Sequence, residues 1–309
     1  MLDTIEIRLD SDPAPRTRDP EPKSEMLEQI SICLTALYLR GLPRPINPLR
    51  RRWVRVVSCL RTADCDFADF DKVLEAAGFR EESILLGDRN LVDDAHYHRS
   101  KVVTALDDGY PKLWLERLRE GAPPVLWKIG SMPQSPYIAV VGSRHIDAST
   151  RAFAEEIGHE AVRLGYAVVS GGAIGSDLAA AKGALLEGGE VLEVLPHGID
   201  HFIDTGKCGL AVCAPHEEFS TASAMERNTL IYAAADNAVV IQARFKEGGT
   251  WIGAFEATRK KLCPLIVRSN DSQASRALIG LGATPLDSPA QLGSAIDQPP
   301  GQRGLFGIG

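Results

Sequence analysis

The chain has 309 residues, 44% of them hydrophobic and 24% charged, with a formal net charge of -7 at pH 7. This is an ordinary globular composition, long enough for two domains or for one large domain with extensions. It excludes a protein that coats nucleic acid through overall positive charge, although a local basic groove stays compatible with it; no apolar run approaches the ~20 residues that span a bilayer.

The first 25 residues are acidic and proline-rich. They read as a disordered lead-in, and without an apolar h-region they do not read as a secretory signal. The six cysteines are scattered, with no C-x-x-C pair and no histidine pair at zinc-finger spacing. Buried, reduced thiols and the cytoplasm are therefore expected, with no metal and no cofactor.

Residues 26–106 carry apolar positions at helical spacing and are expected to form a small helical N-terminal domain. Leu27, Ile30, Leu34 and Leu37 lie on one stripe, and "ADFDKVLEAAGF" has Asp69 or Asp71 near its start and Gly78 past its end. Between them six arginines from Arg40 to Arg55 crowd around three prolines. That cluster reads as a solvated turn or as a patch for phosphates or an acidic partner.

From 107 to 290 the pattern is that of an α/β domain. A tyrosine-proline turn, a short amphipathic helix and a strand at Val125 to Ile129 lead in. "YIAVVG" is then a strand buried on both faces, followed by the helix "TRAFAEEIGHEAVRLG" and the strand "YAVVSGG". The helix "SDLAAAKGALLEG" and the strand "EVLEVLP" come next, and further on "TASAMERNTLIYAAA" (helix), "NAVVIQA" (strand), "TWIGAFEATRKK" (helix) and "CPLIVR" (strand). Alternation at this spacing gives βαβ units, hence a mostly parallel sheet covered by helices on both faces.

Ligands of such sheets bind beyond the carboxyl ends of the strands, so the loops there carry the chemistry. They are "GSRHID" (142–147), "SGGAIGSD" (170–177), "PHGIDHF" (196–202) and "RFKEGGTW" (244–251). Glycines let the backbone approach an anion, and helix starts favour negative charge. Arg144 and Arg227 supply forked donors suited to phosphate oxygens. Asp177 reads either as an N-terminal cap or as an acceptor for a hydroxyl, an amino group or a neighbouring arginine. The G-x-G-x-x-G and G-x-x-x-x-G-K-[ST] patterns are absent, which excludes an NAD-dependent dehydrogenase and a P-loop ATPase. No complete catalytic set is present; Glu256 reads either as a carboxylate near the pocket floor or, more simply, as a helix-surface residue.

The order "YIAVVGSR", "GYAVVSGGAIGSDLAAAKGAL", "GGEVLEVLPHGID", "RNTLIYAAADNAVVIQA" and a Gly-Gly loop resembles the DNA processing protein A family (DprA, also called Smf) over roughly 107–286. The upstream "YPKLWLERLREGAPPVLWKIG" matches that family's lead-in to an extended Rossmann-like fold. The resemblance implies a binding protein without turnover, which takes single-stranded DNA and hands it to a RecA-type recombinase during natural transformation. Carried over by position, Gly142, Ser143 and Arg144 contact phosphate, and Ser170, Gly171, Gly172, Gly175 and Asp177 shape the central pocket. Arg227 and Asn228 line it, Gly248, Gly249 and Thr250 close it, and Lys207 joins the phosphate-binding set. Phe202, Phe245 and Trp251 are the aromatic candidates for base stacking.

The sequence departs from the family pattern at Ser176 (usually isoleucine), Ala181 (histidine), Ile203 and Asp204 (tyrosine-proline) and Lys207 (asparagine). Thr229 and Gly248 also differ, and no winged-helix extension is expected after Leu286. The alternative class is a nucleotide-binding or nucleotide-hydrolysing relative of the cytokinin-activating phosphoribohydrolases, in which Glu256 would act. The tail, 291–309, is expected to be flexible. Its Gln302, Leu305 and Phe306 look like the pentapeptide with which bacterial replication and repair proteins dock into the sliding clamp. A homodimer is a further partner option; a membrane is not.

Overall fold

The computed structural model describes residues 97–298 and Asp93, apart from Pro124, Asp204 and Ala214. The lead-in, nearly all of the expected helical domain with its arginine cluster, and the clamp-like tail lie outside the described residues.

Nine strands form one sheet: β1 (Val102–Thr104), β2 (Val125–Ile129), β3 (Tyr137–Val141), β4 (Ala167–Ser170), β5 (Val191–Leu195), β6 (Cys208–Ala211), β7 (Asn237–Val240), β8 (Leu265–Arg268) and β9 (Thr284–Leu286). Their order is β1-β2-β6-β5-β4-β3-β7-β8-β9. From β6 to β9 every neighbouring pair is parallel, while β2 runs antiparallel to β6 and β1 to β2. The α/β class and the mostly parallel sheet are thus as expected.

The apolar runs alternate across the sheet. Ile138 and Val140 of β3 belong to one core, Ala139 and Val141 to the other. On one face lie α2 (Ala148–Arg163), α3 (Ser176–Leu186) and α7 (Leu292–Ile296). On the other lie α1 (Lys112–Leu118), α4 (Thr221–Ala234), α5 (Gly248–Lys260) and α6 (Gln273–Gly280). Asp147 caps α2, its carboxylate accepting from the Thr150 amide at 2.7 Å. Helices α2 and α3 cross at two glycines: a Cβ on Gly158 would overlap the Ala180 carbonyl, and one on Gly183 the Glu155 carbonyl. Close backbone approach accounts for glycine inside both helices, where it costs about 1 kcal/mol relative to alanine.

Three short strands, β1, β6 and β9, were not expected. Val102–Thr104 falls at the end of the segment assigned to the helical domain, yet it pairs with β2. Its β-branched "VVT" is held by Asp107, which accepts from the Thr104 amide at 2.6 Å and from Arg99. β9 contains Pro285, which an edge strand tolerates because one side of its ladder needs no donor. Helix α7 also lies just past residue 290 and buries Leu292 and Ala295 against the sheet.

The lead-in helix α1 fixes α4, and α4 carries part of the site. The buried Trp114 donates its indole N–H to the Leu230 carbonyl at 2.8 Å. Arg117 donates to the Ala233 carbonyl at 3.3 Å and to that of Ala235, satisfying the last carbonyls of α4.

Candidate functional site

The strand order reverses between β3 and β7, so the loops that follow these two strands diverge. This is the switch point at which open α/β sheets bind their ligands. A cavity of about 590 Å³ opens there. The β3 loop contributes Gly142, Ser143, Arg144 and His145, and the β7 loop Gln242 and Arg244. Helix α4 contributes Met225, Arg227, Asn228 and Tyr232, and the start of α5 adds Gly248, Gly249 and Thr250.

Nine of the fourteen residues assigned to the phosphate-binding set therefore meet in one place: Gly142, Ser143, Arg144, Asp177, Arg227, Asn228, Gly248, Gly249 and Thr250. Arg144 and Arg244 are exposed at the rim, Arg244 within 3.5 Å of the equally exposed Glu247. Helix α5 has no side-chain cap. Thr250 donates its hydroxyl to the Gly142 carbonyl at 3.1 Å, and Asn228 its amide to the Gly249 carbonyl at 3.4 Å. Among the described residues no protein group accepts from the Gly248, Gly249 or Thr250 amides. These donors, with the helix dipole behind them, face the side of the cavity where an anion is favoured.

The other five form a layer beneath it or stand apart. Ser170 is fully buried, and its hydroxyl accepts from the Gly172 amide at 3.3 Å. Gly175, with φ +98°, abuts the Ser143 and Arg144 carbonyls, and Ser176 donates its amide to the Ser143 carbonyl at 3.2 Å. The glycine loop 170–177 was expected to be an anion-tolerant helix start. Instead it encloses an anion of the protein's own. The Asp177 carboxylate accepts from the Gly142 amide at 3.3 Å and the Gly171 amide at 3.1 Å. Neither donor belongs to helix α3, so Asp177 is not the cap of its helix; the N-cap is Gly175. Asp177 ties the β3 loop to the β4 loop.

Burial raises the Asp177 carboxyl from its ordinary 3.8 to about 6, against the opposing pull of Arg227 and of the Gly171, Ala173 and Gly142 amides. Arg227 is buried as well, and burial lowers its pKa while Asp177 and Glu193 act the other way. Its guanidinium lies flat against Gly171, where any Cβ would overlap Nη1, and donates to the Val194 carbonyl at 3.3 Å. Glu193, on β5, sits under Gly172, whose Cβ would come within 2.6 Å of its carboxylate. Lys207 is paired with Glu193. The lysine expected on phosphate thus neutralises a buried glutamate that the strand reading did not single out, because an acid inside an apolar run looks like an interruption.

Of the aromatic candidates, Trp251 is buried and meets Phe245 edge-on at 4.8 Å. Phe202 packs on Gly209 and beneath Lys207. None of the three lines the cavity; Phe219, which the sequence reading passed over, does. The Glu256 carboxylate pairs with Arg259 at 2.6 Å and Lys260 at 3.3 Å on the outside of α5, away from the cavity. Cys208, Cys213 and Cys263 are buried free thiols. Among the described residues no group of acidic, histidine or cysteine side chains could hold a metal, and no helix is long and apolar enough to cross a membrane.

Comparison with known proteins identifies a family and a shared fold. The family described as DNA recombination-mediator protein A matches residues 101–297. Protein Smf of Synechocystis sp. is 30% identical over 140 residues, which cover 41% of this chain and 35% of that relative, so the chain spans about a third of its length. The X-ray structure of DNA processing protein A from Streptococcus pneumoniae superposes with a TM-score of 0.64 at 22% identity, covering 87% of this chain and 97% of that one. A Helicobacter pylori DNA processing protein A structure, described as giving insight into a unique single-stranded DNA binding mode, superposes with a TM-score of 0.50 at 23% identity. It covers 55% of this chain and 85% of that one. At these identities the two structures establish a common fold.

Proposed function

This chain belongs to the DNA recombination-mediator protein A family, and on that premise we propose that it binds single-stranded DNA across the switch-point cavity. The phosphates lie between Arg144, Arg244 and the amides of α5, and no covalent step is involved. One observation carries the reading: a chain of net charge -7 places two exposed arginines and an open helix start around one cavity, with a third arginine in its wall. Local positive potential of this kind attracts a polyanion whatever the total charge.

Anisotropy titration of labelled oligo-dT, against AMP, GMP and cyclic nucleotides, tests it. Oligo-dT should bind in the micromolar range or tighter, with affinity falling as salt rises. Arg144→Ala should weaken binding and reduce the salt slope by about 1. Tight mononucleotide binding with no oligo-dT binding at low salt would transfer the site to the nucleotide-binding alternative.

The strand so held is passed to a RecA-type recombinase in this reading, and a homodimer would present two such cavities. The tail residues Gln302, Leu305 and Phe306 are proposed to dock into the sliding clamp through the Leu-Phe pair. Deleting 302–306 should abolish clamp pull-down and leave oligo-dT affinity unchanged; retained pull-down would dispose of the motif.

A further inference from the structure

Phe219 stands immediately before Ser220, the N-cap of α4, whose hydroxyl accepts from the Ser223 amide at 3.0 Å. A hydrophobic residue at this position ordinarily packs on the fourth residue of the helix. Here that residue is Ala224, too small to cover a ring. Phe219 is left 51% exposed, and Met225, one residue further along α4, 37% exposed. Both line the switch-point cavity, together with the rim arginines Arg144 and Arg244. An aromatic face and a polarisable thioether on one side of a cavity, with cations beside them, form a surface for a flat, uncharged ring attached to a phosphate.

A second observation points to a ligand at the same place. Two buried polar groups of the cavity wall, the Arg227 Nε–H and the Tyr232 hydroxyl, have no hydrogen-bond partner among the described residues. Buried donors without acceptors are rare in proteins and are expected where a bound group completes the site.

We propose that Phe219, supported by Met225, is the base-stacking residue of this cavity, so that a nucleobase rests on its ring while the adjoining phosphate is held at the Arg144–Arg244 rim. The inference rests on the single-stranded DNA reading above. It also places stacking on a loop residue ahead of α4, away from Phe202, Phe245 and Trp251. Stacking of this kind tolerates any base, because every base has a π-face.

The test uses the full chain, a labelled dT oligomer and an oligomer of equal length built from abasic sugar-phosphate units. Phe219→Ala should weaken dT binding roughly ten-fold, the effect typical of losing one aromatic platform. Its salt slope should match that of the unaltered protein, since no charge has changed. Phe219→Trp should restore affinity, and its added indole emission should be quenched by dT but not by the abasic oligomer. The unaltered protein should bind the abasic strand more weakly than dT, and Phe219→Ala should bind the abasic strand no worse than the unaltered protein does. Undiminished dT binding by Phe219→Ala would overturn the proposal, and so would an equal loss for both oligomers, which would mark a structural role. Absence of dT binding by the unaltered protein at low salt would instead remove the DNA reading on which the proposal stands.

Discussion

Asp177→Ala should lower stability by about 3–5 kcal/mol, the usual consequence of leaving a buried charge without its partner. Two amides lose their acceptor and one cation loses a counter-charge. Arg227 stays buried without the carboxylate that balances it, and the Gly142 and Gly171 amides lose the oxygens that draw the β3 and β4 loops together. Asp177→Asn keeps the shape and one acceptor oxygen but turns an NH₂ toward a backbone donor, so a smaller loss of about 1–3 kcal/mol is expected. Urea unfolding followed by circular dichroism measures both. A loss under 1 kcal/mol for the alanine variant would mean that the loops are held by something else.

The same residue gives the stability a pH signature of definite sign. Its carboxyl titrates near 6 in the folded protein and near 3.8 when unfolded. Between those values the folded state holds more protons, so this group's contribution to stability increases as pH falls from 7 towards 4. Asp147 and Glu187 have lowered values and act in the opposite direction. The difference between the unaltered protein and Asp177→Asn isolates the Asp177 contribution: that difference should widen on acidification from pH 7 to pH 5. A constant difference would show that the carboxyl does not titrate there.

Gly171→Ala should have the second largest effect, and on two measurements at once. The added methyl would overlap Arg227 Nη1, so the guanidinium must leave the face of Gly171 and its bond to the Val194 carbonyl. Overpacking of a buried site costs about 1–3 kcal/mol. Because the displaced group is a cation in the cavity wall, oligo-dT affinity should also fall by roughly an order of magnitude. Gly280→Ala is the control: a methyl there meets nothing within 4 Å. Normal oligo-dT binding by Gly171→Ala would show that the position of Arg227 does not matter to the ligand.

Much of the sheet was legible because its strands are short apolar runs stopped by glycine or proline. "YIAVVG", "YAVVSGG" and "EVLEVLP" each yielded a strand within a few residues of where it was placed, since a strand buried on both faces has no other composition open to it. β1, β6 and β9 were missed for a related reason. They have three or four residues each, and neither length nor periodicity separates such runs from loop; only their pairing partners make them strands. Lys112–Leu118 was placed by its pattern, but its use as a brace on α4 depends on Trp114 reaching Leu230, 116 residues away.

The site divides in the same way. Glycine loops after strands, Arg144, Arg227 and the Gly-Gly start of α5 could be found from residue type and position, because strand ends and helix starts follow from local pattern. What each polar group does could not. Asp177 faces two loop amides, Lys207 faces Glu193, and Phe219 is exposed because its helical neighbour is an alanine. Charges choose partners by distance across the fold, not along the chain, and burial decides whether a cation serves the ligand or the protein's own carboxylates. The sequence by itself determined an α/β sheet with an anion-favouring edge. The tertiary structure alone decided that the glycine loop encloses Asp177 and that the open amides belong to α5, because those pairings bring together residues that are distant in sequence.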